Sequence, residues 1–157
     1  DGTSLTQCRF EAETHPYDFD SLEENTDLPI FQQACLWLDR YFAGENPDPK
    51  ELSLAPQGSP FQLRVWNEIS KIPYGETVTY GTMAKNLGSA EYPTSPRAIG
   101  NATGRNGIVI IIPCHRVMGV NNNLTGFGGG IPAKTKLLQL EGIDTSKLQQ
   151  PKISQRK

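Results

Sequence analysis

The spacing of apolar and polar positions divides the chain into short helices joined by turns. From Pro29 to Phe42, apolar residues fall at Phe31, Ala34, Cys35, Leu38, Tyr41 and Phe42, which is helical spacing. Proline in the first turn and Gly44 just past the end agree with it. This stripe predicts core positions for Cys35 and Trp37. Ser59-Pro60 opens a second helix with a hydroxyl N-cap and proline at the first helical position. Its face is Phe61, Val65, Ile69 and Ile72, and Pro73-Tyr74-Gly75 ends it. Thr79 caps a third helix from Tyr80 to Leu87, with Met83, Ala84 and Leu87 inward and Gly88 as the stop. After a loop over 89–94, Ser95-Pro96 starts a fourth helix with Arg97, Ala98, Ile99, Ala102 and Arg105. The last runs from Ile131 to Leu140, with Leu137, Leu138 and Leu140 apolar and Gly142 beyond its end.

Period-two patterning is weaker. Asp1-Gly2 reads as a turn, and Leu5, Cys8 and Phe10 among polar residues read as a short strand. Residues 11–27 are acidic, contain Pro16 and read as loop. Val109, Ile110 and Ile111 lead to Ile112 and Pro113. An apolar run of this length reads as a buried strand, stopped by a proline that supplies no ladder donor. Asn121-Asn122-Asn123 marks a turn. Residues 126–130 are glycine-rich around Phe127, but lack the GK[ST] of a phosphate cradle.

With 157 residues and 36% hydrophobic content, the chain can form one domain or two small ones. No stretch approaches the ~20 apolar residues of a membrane span, and no signal peptide opens the chain. No membrane partner is expected. Three irregularly spaced cysteines make no disulfide framework, so a reducing, cytoplasmic setting is expected. Charge is uneven: residues 1–50 hold 3 Lys+Arg against 11 Asp+Glu, and residues 51–157 hold 12 against 6. The basic portion suits phosphates, although such an excess is also ordinary surface. Pro47, Pro49, Pro56 and Gly58 within 46–59 read as linker, and the chain is expected to divide into an N-terminal unit (1–50), a linker (51–58), a second unit (59–145) and a polar tail (146–157).

Cys114 and His115 are the candidate chemistry. A thiol titrates near ~8.5 and is a poor nucleophile at neutral pH until a base or cation lies beside it. One of only two histidines adjoins this cysteine. The adjacency alone favours a buried thiol acting as a small hydrophobe, and a Cys-His hydrolase is a further reading. Glu141 stands at a helix C-terminus, where the dipole disfavours a carboxylate, and is a further candidate. The helix pair over 80–105 has the shape of a helix-turn-helix, but helix pairs are also common packing units.

Pro113-Cys114-His115-Arg116-Val117 after an aliphatic run resembles the active-site signature of the O6-alkylguanine-DNA alkyltransferases, also called methylated-DNA–protein-cysteine methyltransferases. Further blocks follow the same family in order: Pro-Tyr-Gly-Glu-Thr-Val-Thr-Tyr at 73–80, Arg-Ala-Ile-Gly at 97–100, Asn106, and Leu-Leu-x-Leu-Glu-Gly at 137–142. The resemblance covers 59–142. It implies an α/β (α+β) chain: a small N-terminal α/β domain, here without the early strands and so either a fragment or a shortened form, then a mostly helical domain with a helix-turn-helix and a short β-hairpin at the active site.

The implied activity is DNA repair by a suicide methyltransferase. One alkyl group passes from O6 of guanine in double-stranded DNA to Cys114, with O4 of thymine open as a second target. His115 would take the thiol proton through a water, Glu141 would orient His115, and Tyr80 would donate a proton or hydrogen bond to the departing base. Asn106 would brace the active-site turn. Val117, Phe127, Gly128 and Gly129 would line the base pocket. The second helix would press into the minor groove, with Arg97 replacing the flipped nucleotide, Pro96 and Ala98 beside it, and Tyr80 and Arg105 as further DNA contacts. A monomer with no cofactor and no metal is implied; Cys8 and His15 are too few for the zinc that some relatives hold. Phe127 stands where some relatives carry tyrosine, and Gly128 where some carry serine.

Overall fold

The computed structural model describes residues 2–10, 23–124, 127 and 130–148. Among the described residues, five α-helices and one two-stranded sheet follow in order: α1 (Pro29–Phe42), α2 (Pro60–Ile69), β1 (Val78–Thr79), α3 (Tyr80–Leu87), α4 (Pro96–Gly104), β2 (Val117–Met118) and α5 (Ile131–Leu140). Local chemistry explains the helix starts. The Ser59 side chain accepts from the Gln62 N–H at 3.2 Å while Gln62 reaches back to the Ser59 N–H, a capping box. Thr79 and Ser95 accept from Thr82 and Ala98, both at 3.1 Å.

α1 has its expected bounds but a rotated inner face. Ile30, Ala34, Trp37 and Tyr41 are buried, whereas Phe31 is 40% and Phe42 54% exposed, and Cys35 is exposed. The packing expected of Cys35 is therefore corrected. Apolar residues occupy more than one side of this helix, and the side carrying Trp37 and Tyr41 has the largest area to remove from water. Their rings stack at 5.8 Å, and the Trp37 indole donates to the Asp48 carbonyl at 3.0 Å.

The strand expected to lead into Cys114 is not formed. Only Ile108 pairs, through one parallel bridge to Cys8. The chain then folds back on itself twice. Ile111 N–H donates to Val109 O, and Cys114 N–H to Ile112 O, each at 2.8 Å. These are three-residue turns centred on Ile110 (φ 70°) and Pro113 (φ −82°, ψ 64°). Positive φ is uncommon for a β-branched residue, and the surroundings enforce it. The Asn106 amide donates to Ile108 O at 3.3 Å and Ile112 O at 3.0 Å, and its oxygen accepts from Ile108 N–H at 3.0 Å. An all-apolar run carries no period, so its burial is legible in the sequence but its backbone path is not.

The hairpin expected beside the site is also corrected. β1 and β2 are parallel, with Val78 opposite Val117 and Thr79 opposite Met118. Antiparallel pairing here is a single bridge, Gly119 to Asn123, closed by a turn with positive φ at Asn121 and Asn122. Residues 52–55, proline-flanked in sequence, hold the N-terminal segment: Leu5 N–H donates to Ser53 O at 2.8 Å, and Ala55 N–H to Leu5 O at 2.9 Å. One hydrophobic cluster runs from Leu5, Ile30 and Tyr41 through Val65, Ile69 and Ile99 to Cys114 and Leu137. No helix among the described residues is long and apolar enough to cross a membrane.

Candidate active site

Beyond the Pro113 turn, residues Cys114–Arg116 make a single 3₁₀ turn, and all three side chains are buried. At three residues per turn, consecutive side chains leave in three directions. Two converge on one carboxylate. His115 Nε2 lies 2.5 Å from Glu141 Oε2, and Arg116 Nε lies 2.7 Å from Glu141 Oε1. Arg116 also donates to Ile72 O at 2.7 Å. Glu141 caps the C-terminus of α5 and receives two further donors: the Tyr41 hydroxyl at 2.6 Å on Oε2 and the Gly75 N–H at 3.1 Å on Oε1. The turn at Gly75 has φ +80°, which glycine adopts without strain. Neighbouring Tyr74 donates to Leu140 O at 3.1 Å, tying the same turn to the end of α5.

Burial by itself raises the Glu141 carboxyl. Hydrogen bonds from His115, Arg116 and Tyr41, with the His115 charge, outweigh it and bring the group to about 2. Burial lowers His115 below its ordinary value, helped by Arg116 and Lys134 and opposed by Glu141. The imidazole is therefore neutral at physiological pH. An ionised carboxylate only accepts, so Nε2 carries the proton and Nδ1 carries the lone pair. Nδ1 is buried and has no hydrogen-bond partner among the described residues. A neutral imidazole with a fixed tautomer thus follows a buried cysteine in the chain.

Lys134, which the sequence reading passed over, belongs to this site. It is 1% exposed on α5, and its ammonium donates to Val117 O at 2.7 Å. Burial lowers it to about 8, against an opposing electrostatic interaction with Cys114. A signal for it existed: Lys134, Leu137, Leu138 and Glu141 fall at i, i+3, i+4 and i+7, so a lysine sits on the inner stripe. Arg116 was visible only as part of the motif, and Tyr41 only as an apolar ring.

His115 and Glu141 are hydrogen-bonded, and Cys114 is buried at the start of the same 3₁₀ turn as His115. Asn106 bridges the two tight turns that lead to Cys114. Tyr80 opens α3 half-buried, and Gly100 of α4 is close enough that an added Cβ would meet its ring at 3.9 Å. Val117 is fully buried in β2, with its carbonyl engaged by Lys134. Phe127 is half-buried, edge-on to Phe10 at 5.7 Å. Gly128, Gly129 and His15 lie outside the described residues. Pro96 and Arg97 are exposed in the first turn of α4, Ala98 is half-buried, and Arg105 is exposed at its C-cap. No cluster among the described residues could hold a metal ion. A cavity of about 890 Å³ lies against α1 and is lined by Leu5, Cys8, Cys35 and Leu38 among others. It is away from Cys114, and the acid–base network rather than volume locates the chemistry.

A buried cysteine followed in the chain by a neutral imidazole that an ionised carboxylate holds is the residue set of proteins with a cysteine nucleophile. Residues 60–143 match the family model for the DNA binding domain of 6-O-methylguanine DNA methyltransferase. The methylated-DNA–protein-cysteine methyltransferase of Haemophilus influenzae is 43% identical over 143 residues, 91% of this chain and 78% of that protein. Its Methanosarcina acetivorans counterpart is 50% identical over 78% of this chain and 75% of its own. The crystal structure of the Mycobacterium tuberculosis O6-methylguanine methyltransferase superposes with a TM-score of 0.76 at 41% identity, covering 93% of this chain and 83% of that one. A structure of the M. tuberculosis protein in complex with DNA superposes with the same score at 40% identity, covering 94% and 84%. The chain belongs to the methylated-DNA–protein-cysteine methyltransferase family.

Proposed function

We propose that the protein repairs double-stranded DNA by moving one alkyl group from O6 of guanine to Cys114. The thiol proton passes through a water to His115 Nδ1, and Glu141 stabilises the resulting imidazolium. The sulfur then forms a bond to the alkyl carbon as the carbon–O6 bond breaks. The electron pair of that bond stays with the guanine, which Tyr80 neutralises or hydrogen-bonds as it leaves. The Lys134 ammonium favours the thiolate over the thiol. The thioether product is stable, and each molecule acts once. The observation that carries this reading is the buried Nδ1 of a neutral imidazole, without a hydrogen-bond partner among the described residues, on the residue that follows Cys114, with Nε2 held by Glu141.

The reacting O6 faces a neighbouring base in a duplex, so the nucleotide must be turned out. The exposed first turn of α4 is the surface for this: Arg97 fills the vacated stack, Pro96 and Ala98 lie against the groove, and Tyr80 and Arg105 contact the strand. Val117, Phe127 and the glycines at 128 and 129 bound the base. A reducing compartment such as the cytosol keeps the acceptor thiol from disulfides. Titration with duplex containing O6-methylguanine tests the proposal. Transfer is expected to stop at one methyl per protein; repeated turnover points instead to a hydrolase.

A further inference from the structure

Tyr41 does something that a core aromatic is not required to do. It is 1% exposed, stacked on Trp37 and edge-on to Tyr74 and His115. Phenylalanine would satisfy all of that packing. Its hydroxyl, however, donates to Glu141 Oε2 at 2.6 Å, the oxygen that also binds His115, and lies 3.4 Å from His115 Nε2. A carboxylate has about four lone-pair sites. Here four donors occupy them: His115 and Tyr41 on Oε2, Arg116 and Gly75 on Oε1.

We infer that Tyr41 is a positioning residue for alkyl transfer, fixing from α1 the Glu141 oxygen that holds His115 in its reactive tautomer. This rests on the transfer mechanism proposed above. Without the hydroxyl, Oε2 has an open site, and the carboxylate can swing off the Nε2 line. Its charge is also less shared, so His115 becomes more basic. The charged and titratable groups around the pair are Tyr41 from α1, Tyr74 from the turn after α2, Cys114 and Arg116 from the nucleophile turn, and Lys134 from α5. Burial and the Glu141 charge raise the Tyr41 hydroxyl, so it remains a donor throughout the working range. The N-terminal segment thereby supplies a part of the reaction centre and is more than a cover for the core.

The test is single-turnover transfer by the full chain carrying Tyr41→Phe, on duplex O6-methylguanine and on free O6-benzylguanine, as a function of pH. Rates on both substrates are expected to fall about tenfold, the loss of one hydrogen bond to a charged group. The acid limb of the profile should move to higher pH, with duplex affinity unchanged. A ring-fluorinated tyrosine at position 41 keeps the packing and donates more strongly, so it should move the limb to lower pH even if Tyr41→Phe folds poorly. Rates within about twofold of wild type, with the limb unmoved in both variants, overturn the inference while normal transfer by wild type leaves the mechanism standing. A wild-type protein that transfers no methyl contradicts the mechanism itself, and this inference with it.

Discussion

His115 Nε2 and Glu141 Oε2 lie 2.5 Å apart across 26 positions of sequence, with both side chains fully buried. This contact makes Nε2 the donor and leaves the lone pair on Nδ1. Glu141→Gln removes the charge that stabilises the imidazolium and leaves Arg116 without its counter-ion. The transfer rate is expected to fall by about a hundredfold or more, within the usual range for an acid–base group. Stability should drop by about 3 kcal/mol, because a buried cation loses its partner. Quench-flow transfer assays and denaturant titration read the two effects separately.

The same carboxylate sets an acid limit on stability. Its folded value is about 2 against an ordinary 4.5, so its contribution is complete above 4.5 and disappears as pH falls towards 2. From the difference, that contribution is about 3 kcal/mol. His115 acts in the same direction: lowered from 6.5 in the folded chain, it contributes fully above 6.5 and loses that contribution as pH falls further. Urea midpoints should therefore begin to fall below neutrality and fall more steeply below 4.5. In Glu141→Gln the steeper part should flatten. An unchanged slope in the variant contradicts the assignment.

Lys134→Met separates stability from reactivity. Removing a charge whose burial lowers it to about 8 relieves a desolvation penalty, while Val117 O loses its donor. The two effects nearly cancel, and stability is expected to stay level or rise by about 1 kcal/mol. The thiol, deprived of its nearby cation, should titrate higher, and transfer should slow about tenfold. Iodoacetamide labelling of Cys114 against pH measures the first effect. A clear loss of stability with an unchanged rate contradicts it.

Arg97→Ala tests extrusion. If the side chain takes the place of a turned-out guanine, duplex repair slows by about tenfold or more, because unstacking amounts to a few kcal/mol. Reaction with free O6-benzylguanine needs no extrusion and should be unaltered. Equal losses on both substrates would remove Arg97 from that role.

What the sequence disclosed follows the range of the forces involved. Ser59, Thr79 and Ser95 marked helix starts because each hydroxyl meets an N–H three residues on. Cys114, His115 and Glu141 stood out through adjacency, dipole chemistry and motif. The path through Ile110 was hidden because an all-apolar run carries no period, and Asn106, not the propensity of the run, brackets the positive φ by bonding Ile108 and Ile112. Cys35 was misplaced because apolar residues lie on both sides of α1, and only tertiary contact selects one. Tyr41 was invisible as a functional group because its hydroxyl finds its partner 100 residues away.

The most direct measurement is peptide mass spectrometry after one exposure to duplex O6-methylguanine, on wild type and Cys114→Ala. One added methyl on the peptide carrying Cys114, with none on Cys8 or Cys35 and none in the variant, is the expected result. Loss of methyl from the DNA with an unmodified Cys114 contradicts it.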